Sequence, residues 1–212
     1  MGITSKVELC NLALSHLGNY GSITNIDTPT ESKEITFALW YDISRQVLLK
    51  TVMPNFALKR QVVGLIAETD AQKVQRFGSA YAYQYPANCL KVLGIGNVED
   101  KENNFSVEDN MILTDEAYTT GLPIRFVRDV SDVNSMSVEF KLLLAMYLAI
   151  KTCLEITQDP QKLLALKRDL PAEMSILSGM NAQENQPIRK SVSRFRAGRW
   201  GAGVGVTNTG KK

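Results

Sequence analysis

Nine consecutive apolar residues, 142–150, stand in the second half of the chain with Lys141 and Lys151 at their two ends. A helix with one wet face repeats polar residues every three or four positions. This run has none across its middle two turns, so residues 137–157 predict a helix that other elements surround. The charge-free stretch is far below the roughly 20 residues a bilayer span needs. The pattern therefore reads as the central helix of a soluble bundle and argues against a membrane.

The rest of the chain has to supply partners for that helix. Ser5 and Glu8 form an S-x-x-E capping box, and Val7, Cys10, Leu14 and Leu17 follow as a stripe at helical spacing that ends at Gly18. Leu9, Ala13 and His16 flank it. After a Gly- and Asn-rich loop, Thr28, Pro29 and Glu31 predict the cap, first-turn proline and capping-box acid of a second helix. It runs to about Val52 before Pro54, with Phe37, Tyr41, Leu48 and Val52 on its buried face. Asp42 and Arg45, one turn apart, are expected to pair as a structural ion pair. From Asn55 the period changes. Short β-prone runs at 56–66, 79–85, 89–97, 105–107, 111–114 and 123–128 alternate with polar turns. Residues 67–78 read as a loop. Beyond the central helix, Asp159 caps and Pro160 opens a last helix whose stripe is Leu163, Leu166, Leu170, Met174 and Leu177. Pro171 predicts a kink or break near Leu170, and Gly179 a stop.

The fold class expected is α+β, mainly a bundle of about four helices with an inserted antiparallel β-domain and an extended C-terminal tail. The helical bundle is assigned to 1–54 and 129–180, the β-domain to 55–128 and the tail to 181–212. The tail is polar, basic and glycine-rich and cannot bury a core of its own.

Charge sharpens the picture of that tail. Of the 24 basic residues in the 212-residue chain, seven lie at 187–212, where there is no acid. The remaining body carries 17 basic and 22 acidic residues, a net charge of −5. An acidic body with a basic tail is the main electrostatic fact. The three cysteines, Cys10, Cys89 and Cys153, lie far apart in apolar contexts and read as reduced core residues, which fits folding in a reducing cytoplasm. No secretion signal is recognisable at the N-terminus.

Little in the sequence carries chemistry. Residues 205–212 imitate a phosphate loop, but Lys212 stands where a magnesium-binding hydroxyl is required. Gly94 and Gly96 mark a β-turn. The acids Glu99, Asp100, Glu102, Glu108, Asp109, Asp115 and Glu116 sit in turn-like contexts without a calcium-loop pattern. The single histidine, His16, sits in the first helix with no recognisable nucleophile motif. No enzyme activity, cofactor or metal is expected. The best interaction signal is the tail segment in which Arg189, Lys190, Arg194, Arg196 and Arg199 interleave with Phe195 and Trp200. Arginine and aromatics are what interfaces enrich, and arginine also pairs with phosphate. These seven residues are the candidate partner-binding site, first for a protein and second for nucleic acid.

Four stretches in order carry a family resemblance: residues 10–18 (CNLALSHLG); Tyr41-Asp42-x-x-Arg45 continuing through Leu48-Leu49 to Asn55-Phe56-Ala57-x-x-Arg60; residues 85–93 (YPANCLKVL); and residues 122–132 (LPIRFVRDVSD). Together they resemble the tail tubular protein A family of short-tailed phages, the head-to-tail adaptors. Pro54 departs from the pattern, since such proteins often carry tryptophan before Asn-Phe-Ala. The resemblance implies a homo-oligomeric ring of about twelve subunits in the virion, at the head–tail junction. Assembly would occur in the host cytoplasm. The partners implied are the portal protein above, a tail nozzle or tail tubular protein B-like protein below, and genomic DNA passing through the lumen. The C-terminal segment would reach the portal. The alternative is a DNA-binding or packaging-associated protein acting through its basic tail.

Overall fold

The computed structural model describes residues 2–18, 21–67, 79–96 and 105–184. Among the described residues, four α-helices and two small antiparallel sheets make an α+β fold. Helix α1 (Lys6–Leu17) starts at the expected box: Glu8 N donates to Ser5 Oγ and Ser5 N to Glu8 Oε2, both at 3.1 Å. It ends at Gly18, whose φ of 98° suits glycine.

Helix α2 (Ser32–Val52) begins later than Thr28 and Pro29 predict. The cause is Glu34, which is buried. Its Oε1 accepts from the backbone N–H groups of Thr24 and Asn25, and its Oε2 from those of Thr30 and Glu31, at 3.0–3.3 Å. Thr30 and Glu31 are drawn to that carboxylate, and Thr28 N donates to Asn25 Oδ1 instead, so the helix starts only after them. Glu34 thus takes the capping role that the sequence suggests for Glu31.

The hydrogen bond from Thr30, with those from Thr24, Asn25 and Glu31, holds the Glu34 carboxyl well below the ordinary carboxylate range. A depressed folded-state pKa adds stability that is present above the unfolded value of about 4.3 and is lost as pH falls below it. Thermal melts from pH 7 downward are expected to show wild type losing stability below about pH 4.3 more steeply than Glu34→Gln. Parallel curves would remove Glu34 from the acid response.

Strand β1 (Leu58–Val63) follows a short 3₁₀ turn, Asn55–Ala57. Then come β2 (Tyr81–Gln84), β3 (Cys89–Ile95), β4 (Phe105–Glu108), β5 (Met111–Thr114) and β6 (Leu122–Arg128). One sheet has the order β1-β6-β3, the other β2-β5-β4. A bridge between Leu65 and Tyr83 links the end of β1 to the second sheet. The two-residue turn between β4 and β5 is Asp109-Asn110, with φ of 46° and 57°. Two positive φ values in a two-residue hairpin are the signature of a type I′ turn. Gly94 lies inside β3, at an irregularity of register, while Gly96 follows the strand with φ of 67°. At Gly121 a Cβ would stand 2.7 Å from Val62 Cγ1 and 2.9 Å from the Val63 carbonyl, so only glycine fits there.

Helix α3 (Val138–Thr157) is the apolar helix of the sequence, and α1, α2 and α4 (Pro160–Glu184) all pack on it. Val127 of β6 and the partly buried Leu58, Leu90 and Leu93 extend the same core from the first sheet. A second core, with Tyr83, Ile112, Ile124 and Phe126, fills the β-structure. Enclosure of α3 is not complete, because Leu142 and Leu154 are exposed. Lys141, at the near end of the apolar run, is buried and donates to the Ile3 carbonyl at 2.8 Å. Lys151, at the far end, lies over the rings of Trp40 and Tyr147.

Asp159 caps α4 as expected, its Oδ1 accepting from Gln161 N and Lys162 N. However, α4 is helical throughout, without the expected break at Leu170 or stop at Gly179. Pro171 and Lys167 both lie on the exposed side. The Lys167 carbonyl that loses its partner to proline therefore faces water, where the loss costs least. Leu166 and Leu177 are buried, and Leu163, Leu170 and Met174 pack against the core, as the stripe predicts.

Candidate interaction surfaces

The centre of the polar structure is Arg45. Its guanidinium is buried and receives two carboxylates and a carbonyl. Nε and Nη2 donate to Asp42 Oδ1 at 3.2 and 2.9 Å, and Nη1 donates to Asp129 Oδ1 and to the Val130 carbonyl. Gln46 Nε2 holds the other Asp129 oxygen at 3.0 Å. Burial works against the charged guanidinium. The bonds to Asp129 and Asp42 outweigh it and hold the pKa above the ordinary arginine value. The pair expected within α2 is thus half of a clamp. Its other half lies 84 residues away, where β6 turns toward α3.

Three of the stretches that carry the resemblance meet at this clamp, and the first is fastened elsewhere. Asp129 N donates to the Asn88 carbonyl at 2.8 Å, which ties the turn before β3 to the end of β6. Asp132 caps the next turn, with Asn134 N on Oδ1 and Ser135 Oγ on Oδ2. In α1, Asn11 grips the backbone of Ile23 from both sides, donating to its carbonyl at 3.0 Å and accepting from its N–H at 2.7 Å. Asn55 reaches the end of α4, donating to the Asn181 carbonyl and to Glu184 Oε2. Asn11, Arg45, Asn55 and Asp129 each fasten one segment of the chain to another.

The remaining candidates divide by location. Arg189, Lys190, Arg194, Phe195, Arg196, Arg199 and Trp200 lie outside the described residues, as do the phosphate-loop imitation, Glu99, Asp100, Glu102 and most of the loop expected at 67–78. His16 is half-buried in the last turn of α1. Cys10, Cys89 and Cys153 are free thiols, all buried. Burial pushes the Cys10 thiol up to about 12, so it is protonated and unreactive at neutral pH. Among the described residues no group of three or more metal-ligating side chains comes together, and no helix is long and apolar enough to cross a membrane.

Sequence reading missed a charge division within the β-structure. The first sheet carries Lys59, Arg60, Lys91, Arg125 and Arg128 and no acid. Arg60 and Arg125 are direct cross-strand partners, an arrangement of like charges that costs stability. With Lys59 and Glu184 they line a hollow of about 380 Å³ at the end of α4. The second sheet and its turns carry Glu108, Asp109, Asp115 and Glu116, with no lysine or arginine among the described residues there. Strand pairing was the missing information, because β1, β3 and β6 are not neighbours in sequence.

No family model and no curated protein matches this chain.

Proposed function

We propose that this chain is a structural head-to-tail adaptor of a tailed phage. It forms a ring between portal and tail nozzle, with DNA passing through the lumen and no reaction catalysed. The observation that carries the reading is the ordered set of four stretches, from Cys10 to Asp132, that resembles the tail tubular protein A family. Several of their side chains, Asn11, Arg45, Asn55 and Asp129, fasten segments together, as befits a part whose work is mechanical. In this reading the bundle forms the ring wall and the β-structure projects toward neighbours. The basic, aromatic tail with Arg189, Lys190, Arg194, Phe195, Arg196, Arg199 and Trp200 docks on the portal. A body with a net charge of −5 holds DNA weakly, since basic contacts that release counterions are what grip it.

A second reading is favoured by one observation. Lys59, Arg60 and Arg125 put basic charge on the body itself, beside the end of α4. That placement suits a DNA-binding or packaging-associated role.

Deleting residues 187–212 separates the two. The adaptor reading expects the truncated chain to keep its melting transition, lose its place on portal-containing heads under the electron microscope, and bind duplex DNA no more weakly than the intact chain. Normal joining to heads by the truncated protein would sink the tail assignment. Intact protein that forms no ring on the portal, yet binds DNA with a steep salt dependence that deletion abolishes, would favour the second reading.

A further inference from the structure

Helix α2 is apolar on two faces. Its inward face buries Phe37, Tyr41, Leu48 and Leu49 together with Glu34, Ser44 and Arg45, while on the outward face Ile35, Leu39, Ile43 and Val47 stand 40 to 62% exposed. These four recur every fourth residue, so they form one ridge about 18 Å long. No described part of the chain covers them. Helix α4 carries a second apolar surface. Leu164, Ile176 and Met180 are 41 to 67% exposed, away from the stripe that packs on α3.

We infer that the α2 ridge of one subunit packs against the outer face of α4 in a second copy of this chain. The inference deepens the ring reading and rests on it. The ridge suits a helix as its partner, because an i±4 row of side chains seats in the groove between the rows of another helix. The two surfaces are unlike and lie on different helices of the same chain. A contact between them leaves each copy with one surface still free, so it propagates head to tail and can close into a ring.

Charge points the same way. Asp42 borders the ridge and is largely exposed, and only its Oδ1 is held by Arg45; Oδ2 has no hydrogen bond among the described residues. Beside Leu164 stands the exposed cation Lys167, and next to it Arg168, which Asp169 holds at 3.0 Å. Area sets the strength. Two ridges of half-exposed aliphatics fall well short of the roughly 800 Å² per partner of a stable interface. The contact therefore forms fleetingly between free chains and persists when several copies are gathered on a common base.

The test is disulfide trapping in the full-length chain carrying Leu39→Cys and Leu164→Cys together. The native thiols are buried, which keeps the background low. Oxidation at high protein concentration is expected to give a ladder of linked oligomers on a non-reducing gel. Neither single variant gives the ladder, and adding Ile43→Asp reduces it roughly tenfold or more. Dimers from Leu39→Cys alone would mean that α2 packs on α2, and would overturn the inference. So would closure of a Leu39→Cys/Trp200→Cys pair within one chain, which would put the tail on the ridge, or the absence of any ladder. Electron microscopy of the same samples separates the two readings. Rings without a ladder keep the ring and remove this contact, whereas a ladder with open filaments keeps the contact and removes the ring.

Discussion

Asp129→Ala is expected to lower the folding free energy by about 3–5 kcal/mol, the range found when one partner is removed from a buried ion pair. The change leaves the buried Arg45 guanidinium with Asp42 and one carbonyl, and Asp42 is mostly exposed. It also frees Gln46 and loosens the joint between β6 and α3. Arg45→Met is expected to cost less, since it removes the most deeply buried charge and the two carboxylates it leaves are better exposed, with Asp129 still held by Gln46. Urea titrations of both variants at one pH measure the difference. If Asp129→Ala stays within about 1 kcal/mol of wild type, in the range of an exposed pair, the clamp is not the joint described here. If Arg45→Met proves the costlier change, the charge itself is what the joint needs.

Met146→Asp is the second severe change. Met146 is buried in the middle of α3, within the apolar core. An unpaired carboxylate placed there belongs to the small group of substitutions that cost more than about 4 kcal/mol. Total stabilities of domains run from about 5 to 15 kcal/mol. The variant is therefore expected to be insoluble or to lack a cooperative melt, and to fail in assembly for that reason alone. Met146→Leu, which conserves volume, is expected to stay within about 1.5 kcal/mol of wild type. A soluble Met146→Asp chain with a sharp melt would mean that α3 is far less enclosed than its neighbours make it.

These two residues mark how far the sequence could be read. Met146 sits in a run whose apolar character is local, so its burial was legible without a structure. The stripes of α1 and α4 were legible for the same reason. Asp129 was not, because its partner is 84 residues away and no spacing encodes that meeting. The late start of α2 has the same origin: Thr28 and Pro29 are good local signals, and the carboxylate of Glu34 overrides them through the 24–31 loop. Pro171 misled in the opposite direction, since a proline on a wet helix face breaks less than one facing a core. The ridge on α2 shows a further limit. Phe37, Tyr41 and Leu48 were legible as its buried face, but only the folded chain reveals that Glu34 and Arg45 join them inside and that Ile35 and Leu39 stay out. Asp109-Asn110 was a missed local signal, a two-residue hairpin turn between β-prone runs. Residues 181–184, assigned to the tail, belong to α4 instead, and the rest of the tail, where most of the interaction signal was read, lies outside the described residues.

The insertion of the β-structure between α2 and α3 also fixes when the bundle can exist during synthesis. Helices α1 and α2 leave the ribosome first, but the helix on which they both pack ends only at Thr157. At about 5–20 residues per second, the roughly hundred intervening residues take some 5–20 s to be made. Throughout that interval the inward faces of α1 and α2 have nothing to close on. Nascent chains stopped inside the β-structure are thus sticky by construction, and the last third of the chain commits the whole to its fold.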